Sequence, residues 1–372
     1  VLTLPTDRGG FFRPDGLVAL VDDVDEVHLF FLNDADTGVV PTLAKFVDVP
    51  GEGERPKQGT TTGRRLDISH MLPTAGRTRW PQPRPIWTGY CGALNSVVQL
   101  RSGRIVLPFA FLTDRTWGGR RGEGVEMFTF HGQYDCTVLY SDDHGATWRL
   151  SSGALRVPVP DIVSAYGAVE PVVHQLRDGR MWMLIRTQLG RFYESFSDDG
   201  DVWSTPAPTR LGASDSPAAV VGLSDGRIVL FWNNAQRFPY AYGGRHILHA
   251  AISDDDGRTW CGYREVARDP KRADPPPPAG DPGTGYPFAV ATADDRVILS
   301  TGQSADRAHC AIVDPAWLYE TDAEADMSPG SEQWATFGTQ GVSLAAHPDD
   351  GTTYALRLTR PDPVTPVPCR CA

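Results

Sequence analysis

Between Ala165 and Trp203 the chain alternates short apolar runs with turn-forming polar residues in a fixed order. An apolar run from Val169 to Leu176 meets the turn Arg177-Asp178-Gly179, and a second from Met181 to Ile185 ends on Arg186. A third, Arg191 to Phe196, leads into Ser197-Asp198-Asp199-Gly200 and Trp203. Strand-length runs bounded by Asp-Gly turns predict consecutive antiparallel hairpins, so this unit reads as a small meander.

The same order recurs on both sides. Upstream, Ala93 to Leu100, Arg104 to Leu112 and Cys136 to Tyr140 lead into Ser141-Asp142-Asp143-His144-Gly145-Ala146-Thr147-Trp148. Downstream, Ala218 to Leu223, Arg227 to Asn233 and His246 to Ile252 lead into Ser253-Asp254-Asp255-Asp256-Gly257-Arg258-Thr259-Trp260. Ser141, Ser197 and Ser253 stand at equal intervals of 56 residues. A weaker copy, with runs at Pro287 to Ala293, Arg296 to Thr301 and His309 to Val313, lacks the turn. Repeated meanders of this size predict an all-β chain folded as a β-propeller, with five or six blades visible.

Other stretches are less regular. Leu17 to Val21 and Val27 to Leu32, joined by the acidic turn 22–26, form half a blade, and Thr74 to Trp87, rich in Pro, Arg and Trp, is expected to cross between blades. The insertion Thr113 to Gly132 reads as a long surface hairpin or lid, and the four prolines at 275–278 mark a stiff connector. Ala316 to Met327 is the one expected helix. The propeller is expected over residues 1–330, and the strands in 331–372 either close the ring or begin a truncated β domain.

The repeated turn S-x-D-x-G-x-T-W is a folding device. Ser and Asp side chains bond their own turn, Gly permits positive φ, and the Trp packs between sheets. At 372 residues and 41% hydrophobic the chain can bury one large core. A net charge of −11 argues against a nucleic-acid groove. No apolar run reaches the length of a membrane-spanning helix, and the start VLTLPTDRGG lacks the features of a signal peptide, which leaves secretion and cytoplasm equally open. The six cysteines form no C-x-x-C pair and are expected as mostly free, buried thiols. His131, His144 and His246 show no metal-ligand spacing, and neither a metal nor an organic cofactor is expected.

In a propeller, ligands sit at the central channel, near the starts of first strands and the ends of second strands. Those positions hold Asn95, Glu170, Asp215, Tyr286 and Gln340, and Arg186, Gln188, Asn233, Asn234 and Gln303. A Glu opening one strand and an Arg closing the next are expected to meet, either as a structural ion pair or as a carboxylate beside a guanidinium that can fork onto a substrate acid.

Two full copies of the Asp-box and one degenerate copy, with the blade order around them, resemble the sialidase (neuraminidase) superfamily, whose fold is a six-bladed β-propeller. That family carries a Glu opening one blade, an Arg ending its next strand, an Arg before a later Asp-box strand and a Tyr opening the following blade. The matching positions are Glu170, Arg186 (in LIRTQLGRFYESFSDDG), Arg245 (in GGRHILHAAISDDDG) and Tyr286 (in GTGYPFAV). The resemblance implies Tyr286 as nucleophile, Glu170 as the base that assists it, and the arginines as a clamp on the sugar carboxylate. A phenol, with an ordinary pKa of about 10, needs such assistance. The family also places an Arg in an F/Y-R-I-P segment and an acid some residues on; Phe12-Arg13-Pro14-Asp15 matches loosely, which nominates Arg13 for the clamp and Asp36, with Asp34 beside it, as general acid. Residues 11–38 look more like the second blade of the family than the first. Asn95, Asn233 and Gln303 complete the expected substrate contacts. The implied function is retaining exo-cleavage of a terminal acidic sugar from a glycan. Another exo-glycosidase or uronate lyase on the same scaffold, or a non-catalytic glycan-binding propeller, is the alternative.

Overall fold

The computed structural model describes residues 17–34, 66–72, 83–89, 91–115, 132–158, 167–235, 244–274, 283–303 and 307–320, and the strands at 334–336, 342–346, 354–358 and 369–371. The chain divides into two compact units, Val1–Tyr319 and Glu320–Ala372. In the first, five antiparallel sheets follow one another along the chain as blades of an all-β propeller.

Sheet A comprises β1 (Val18–Val21), β2 (Val27–Asp34), β3 (Leu66–Met71) and β4 (Arg84–Trp87). Sheet B comprises β5 (Val98–Gln99), β6 (Ile105–Arg115), β7 (Gly132–Ser141) and β8 (Arg149–Leu150). Sheet C is β9 (Val169–Gln175), β10 (Met181–Arg186), β11 (Arg191–Ser197) and β12 (Ala207–Gly212). Sheet D is β13 (Ala219–Gly222), β14 (Ile228–Trp232), β15 (Ile247–Ser253) and β16 (Cys261–Arg268). Sheet E has three strands, β17 (Phe288–Ala291), β18 (Val297–Thr301) and β19 (His309–Val313). The second unit pairs β20 (Trp334–Thr336) with β23 (Cys369–Cys371), and β21 (Val342–Ala346) with β22 (Tyr354–Leu358).

The core lies between consecutive sheets, because alternate side chains of a strand point to opposite faces. On β10, Met181, Met183 and Ile185 join Val106, Ala110 and Val138 of sheet B. Trp182 and Leu184 point the other way, to Ile228, Leu230 and Trp232 of sheet D. Val229, Phe231 and Ile252 in turn meet Val297, Leu299 and Val313 of sheet E. This two-sided burial is why β10 reads as an unbroken apolar run rather than as an alternation. First strands neighbour one another as well, β13 lying against β9 and against β17.

Four expectations need correction. The half blade at 17–32 is a full four-stranded sheet, completed by β3 and β4. Arg84–Trp87 is therefore an outer strand rather than a crossing segment, and Pro85 is tolerated because β4 is an edge. The expected helix from Ala316 is a single 3-10 turn, Pro315–Tyr319. Of the described cysteines, Cys91 and Cys136 are buried thiols but Cys261 and Cys310 are exposed.

The Asp-box turns fold as their residue types dictate. Ser141 Oγ donates to Asp143 Oδ1 at 2.8 Å and accepts Gly145 N–H at 2.8 Å. Asp143 also takes the N–H and hydroxyl of Thr147 at 2.7 and 2.6 Å. Ser253, Asp255, Gly257 and Thr259 repeat the pattern. In the shorter copy, Asp199 Oδ1 caps Asp201 N–H and Val202 N–H instead. Hydrogen bonds from Thr147 and Thr259 hold the Asp143 and Asp255 carboxyls down at about 2. All three turns follow third strands, at the end of each sheet opposite to the one where β10 delivers Arg186.

Candidate active site

Glu170 is the second residue of β9 and Arg186 the last of β10, where the ladder slips by a bulge after Leu184. The expected meeting occurs: Arg186 Nη1 donates to Glu170 Oε2. Tyr286, just before β17, donates its hydroxyl to Glu170 Oε1 at 2.7 Å and accepts from Arg186 Nη1 at 3.1 Å. Three groups separated by up to 116 residues thus close one triangle.

Sheet D supplies the other side. Asp215, before β13, takes Arg186 Nε on Oδ1 at 2.6 Å and Gln188 Nε2 on Oδ2 at 3.0 Å. Its backbone carbonyl accepts from Arg245 Nη2 at 2.8 Å. Arg245 also donates from Nη1 to Gln303 Oε1 at 2.7 Å, and its guanidinium lies 5.3 Å from the Tyr286 ring centre. Arg186, Glu170, Asp215 and Arg245 are all buried, whereas Tyr286 keeps part of its surface open. Burial opposes the charge on Arg186, but Asp215 and Glu170 outweigh it and hold the guanidinium well above its ordinary value.

The backbone is fixed unusually at both partners of the central hydrogen bond. Glu170 has φ +45° and Tyr286 φ +58°, each opening a strand rather than turning a hairpin. Left-handed backbone at non-glycine residues costs on the order of 1–3 kcal/mol and persists where surrounding contacts enforce it. For Tyr286 those contacts come from Thr284, whose N–H and hydroxyl both donate to Arg245 O, at 2.7 and 3.0 Å. Gly283 is required there, since a Cβ would sit 2.2 Å from that same carbonyl.

The remaining expected residues fall elsewhere. Asn233 Nδ2 donates to Ile247 O at 2.8 Å and to Thr284 Oγ1 at 3.0 Å, so it braces the segment carrying Tyr286. Asn95 is buried and bonds Ala93 O within its own segment. Asn234 is exposed. Arg13, Asp36, His131 and Gln340 lie outside the described residues, as does the side chain of Asp34. Asp215 and Gln188 were legible only as channel positions; that Asp215 takes both Arg186 and Gln188 comes from the packing of sheet D against sheet C. Cys91 and Cys136 lie near Glu170, and burial, with the Glu170 charge added, pushes both thiols well above the reactive range.

Residues 58–299 match the family model described as BNR repeat-like domain. The chain belongs to this BNR repeat-like family. As an Asp-box propeller it is similar to the sialidase of Micromonospora viridifaciens, 27% identical over 216 residues, which is 54% of this chain and 28% of that sialidase. The chain therefore spans little more than a quarter of the curated relative it matches. Among solved structures, the Hadza microbial sialidase Hz136 superposes with a TM-score of 0.55 at 15% identity, over 82% of this chain and 53% of that one. Trypanosoma rangeli sialidase in complex with 2,3-difluorosialic acid gives 0.50 at 14% identity, over 79% and 43%. These likenesses establish the sialidase-type β-propeller fold for the BNR repeats.

Proposed function

We propose that Glu170, Arg186 and Tyr286 form the centre of an exo-glycoside hydrolase that removes a terminal acidic sugar from a glycan with retention. The observation that carries this reading is the 2.7 Å hydrogen bond from the Tyr286 hydroxyl to Glu170, made by a partly exposed phenol over two buried guanidiniums. The sialidase relative points the same way.

In the first step the Tyr286 oxygen bonds to the anomeric carbon as its proton passes to Glu170 Oε1. The departing glycan oxygen takes a proton from a general acid, for which Asp36 is the proposed group. Water then attacks the same carbon and gives a proton to the Asp36 carboxylate left by the first step, the sugar–tyrosine bond breaks, and Glu170 returns its proton to the phenolate. Arg186 and Arg245 face the sugar's acid, and Gln303 fixes the Arg245 fork.

Release of the fluorophore from a fluorogenic aryl sialoside tests the proposal. The intact chain is expected to turn it over, with loss of about a hundredfold or more in Tyr286→Phe and Glu170→Ala. Binding without turnover in the intact chain assigns the site to glycan recognition alone and overturns the hydrolase.

A further inference from the structure

Resting on the glycosidase reading above, we infer that Asp215 is the specificity-determining residue of the site: it limits how strongly an acidic sugar is held. Arg186 offers two edges from which a carboxylate can receive a pair of parallel N–H bonds, Nε with Nη2 and Nη1 with Nη2. Asp215 occupies Nε at 2.6 Å, and Glu170 occupies Nη1. Each edge therefore has one donor engaged by a carboxylate of the protein itself.

Charge leads to the same conclusion. Glu170 and Asp215 balance Arg186 and Arg245, so these four groups sum to zero before a ligand arrives. An incoming acid meets two guanidiniums whose charge two buried carboxylates have already balanced, and between buried groups that repulsion is weakly screened. Glu170 must stay ionised in order to take the Tyr286 proton. Asp215 plays no part in that transfer, since it is buried and makes no hydrogen bond to Tyr286. Its anchoring of Arg245 runs through the backbone carbonyl and does not use the side-chain charge. The carboxylate at this position thus tunes selectivity between acidic and neutral sugars without entering the chemistry.

Asp215→Asn isolates that charge. The amide is isosteric, its Oδ1 still accepts Arg186 Nε–H, and Gln188 satisfies the new Nδ2 by turning its own amide oxygen toward it. The probe pair is the glycal of sialic acid and its carboxyl methyl ester, titrated into the whole chain by calorimetry at neutral pH. Removing a unit charge a few ångströms away is expected to tighten the acid by about tenfold and leave the ester unchanged. Asp215→Glu keeps the charge and is expected to give no gain. Asp215→Ser is the second neutral variant should the Asn protein fold poorly, with the same expected gain. Weaker acid binding in both neutral variants, or equal shifts for acid and ester, would show that Asp215 only supports the architecture, and the inference fails while the hydrolase reading stands. Failure of the acid to bind the intact chain and every variant overturns both.

Discussion

The first three strands of sheet C and the three of sheet E follow one meander order and face opposite situations. On β10 of sheet C every side chain is buried, odd positions against sheet B and even positions against sheet D. On sheet E the described residues cover one face: Val297, Leu299 and Val313 meet sheet D, while Phe288, Val290, Ile298 and Ile312 are exposed among the described residues, Ile312 at 65%. Yet the two sheets share the candidate site, Glu170 and Arg186 from C and Tyr286 from E. The difference shows that the site divides into a rigid charged half and a phenol held from one side. The Tyr286 backbone is held by Thr284 against the Arg245 carbonyl, on the sheet D side of sheet E.

Removing the charge at the centre of the covered half has the largest expected effect. Arg186→Met leaves Glu170 and Asp215 buried without their shared cation, and stability is expected to fall by about 3–5 kcal/mol in denaturant titration. A fall below about 1 kcal/mol would mean the covered half is not the rigid one.

Next come matched apolar truncations on the two sheets. Ile185→Ala, in the core between B and C, is expected to cost about 2–5 kcal/mol, whereas Ile312→Ala on the open face of sheet E stays within about 0.5 kcal/mol. Comparable losses at both sites would show that something covers sheet E in solution, and the contrast would collapse.

A smaller effect separates sheet A from both. Burial drives His70 down to about 3 and lowers His28, with which it shares a 3.1 Å hydrogen bond, while Asp22 raises the exposed His144. For His70 the folded value lies below the unfolded 6.5, so its stabilisation is complete above 6.5 and is lost as pH falls from there toward 3. His28 acts in the same direction. His144, raised, acts oppositely and regains stability as pH falls through its folded value. Melting temperature is therefore expected to drop between neutral pH and mild acid, and His70→Gln is expected to flatten that limb. An unchanged limb in the variant would assign acid sensitivity to other groups. Asp143→Ala at the far end of sheet B is expected to cost on the order of 1 kcal/mol for the Thr147 contacts, with no change in the site.

What the sequence made legible follows from how local each signal is. The Asp-box turns depend on residues within a few positions of one another, so Ser141, Asp143 and Thr147 announced their own geometry. Strands β10 and β14 were visible because both faces are buried and their apolar runs are unbroken. Strands β3 and β4 were not, since the long stretch 35–65 separates them from β2 and Pro85 and Arg84 look unlike a sheet interior. At the site, the positions of Glu170, Arg186 and Tyr286 could be read from the repeat. That Asn233 braces the Tyr286 segment, and that Asp215 competes for Arg186, depends on sheets D and E packing side by side, which no local spacing encodes.

The central claim is that Tyr286 bonds covalently to the sugar. Intact-mass measurement followed by peptide mapping, after incubation with 2,3-difluorosialic acid, tests it most directly. One added sugar on the peptide containing Tyr286, absent from Tyr286→Phe, is the predicted result; a protein that stays unlabelled, or carries the label on another residue, would contradict it.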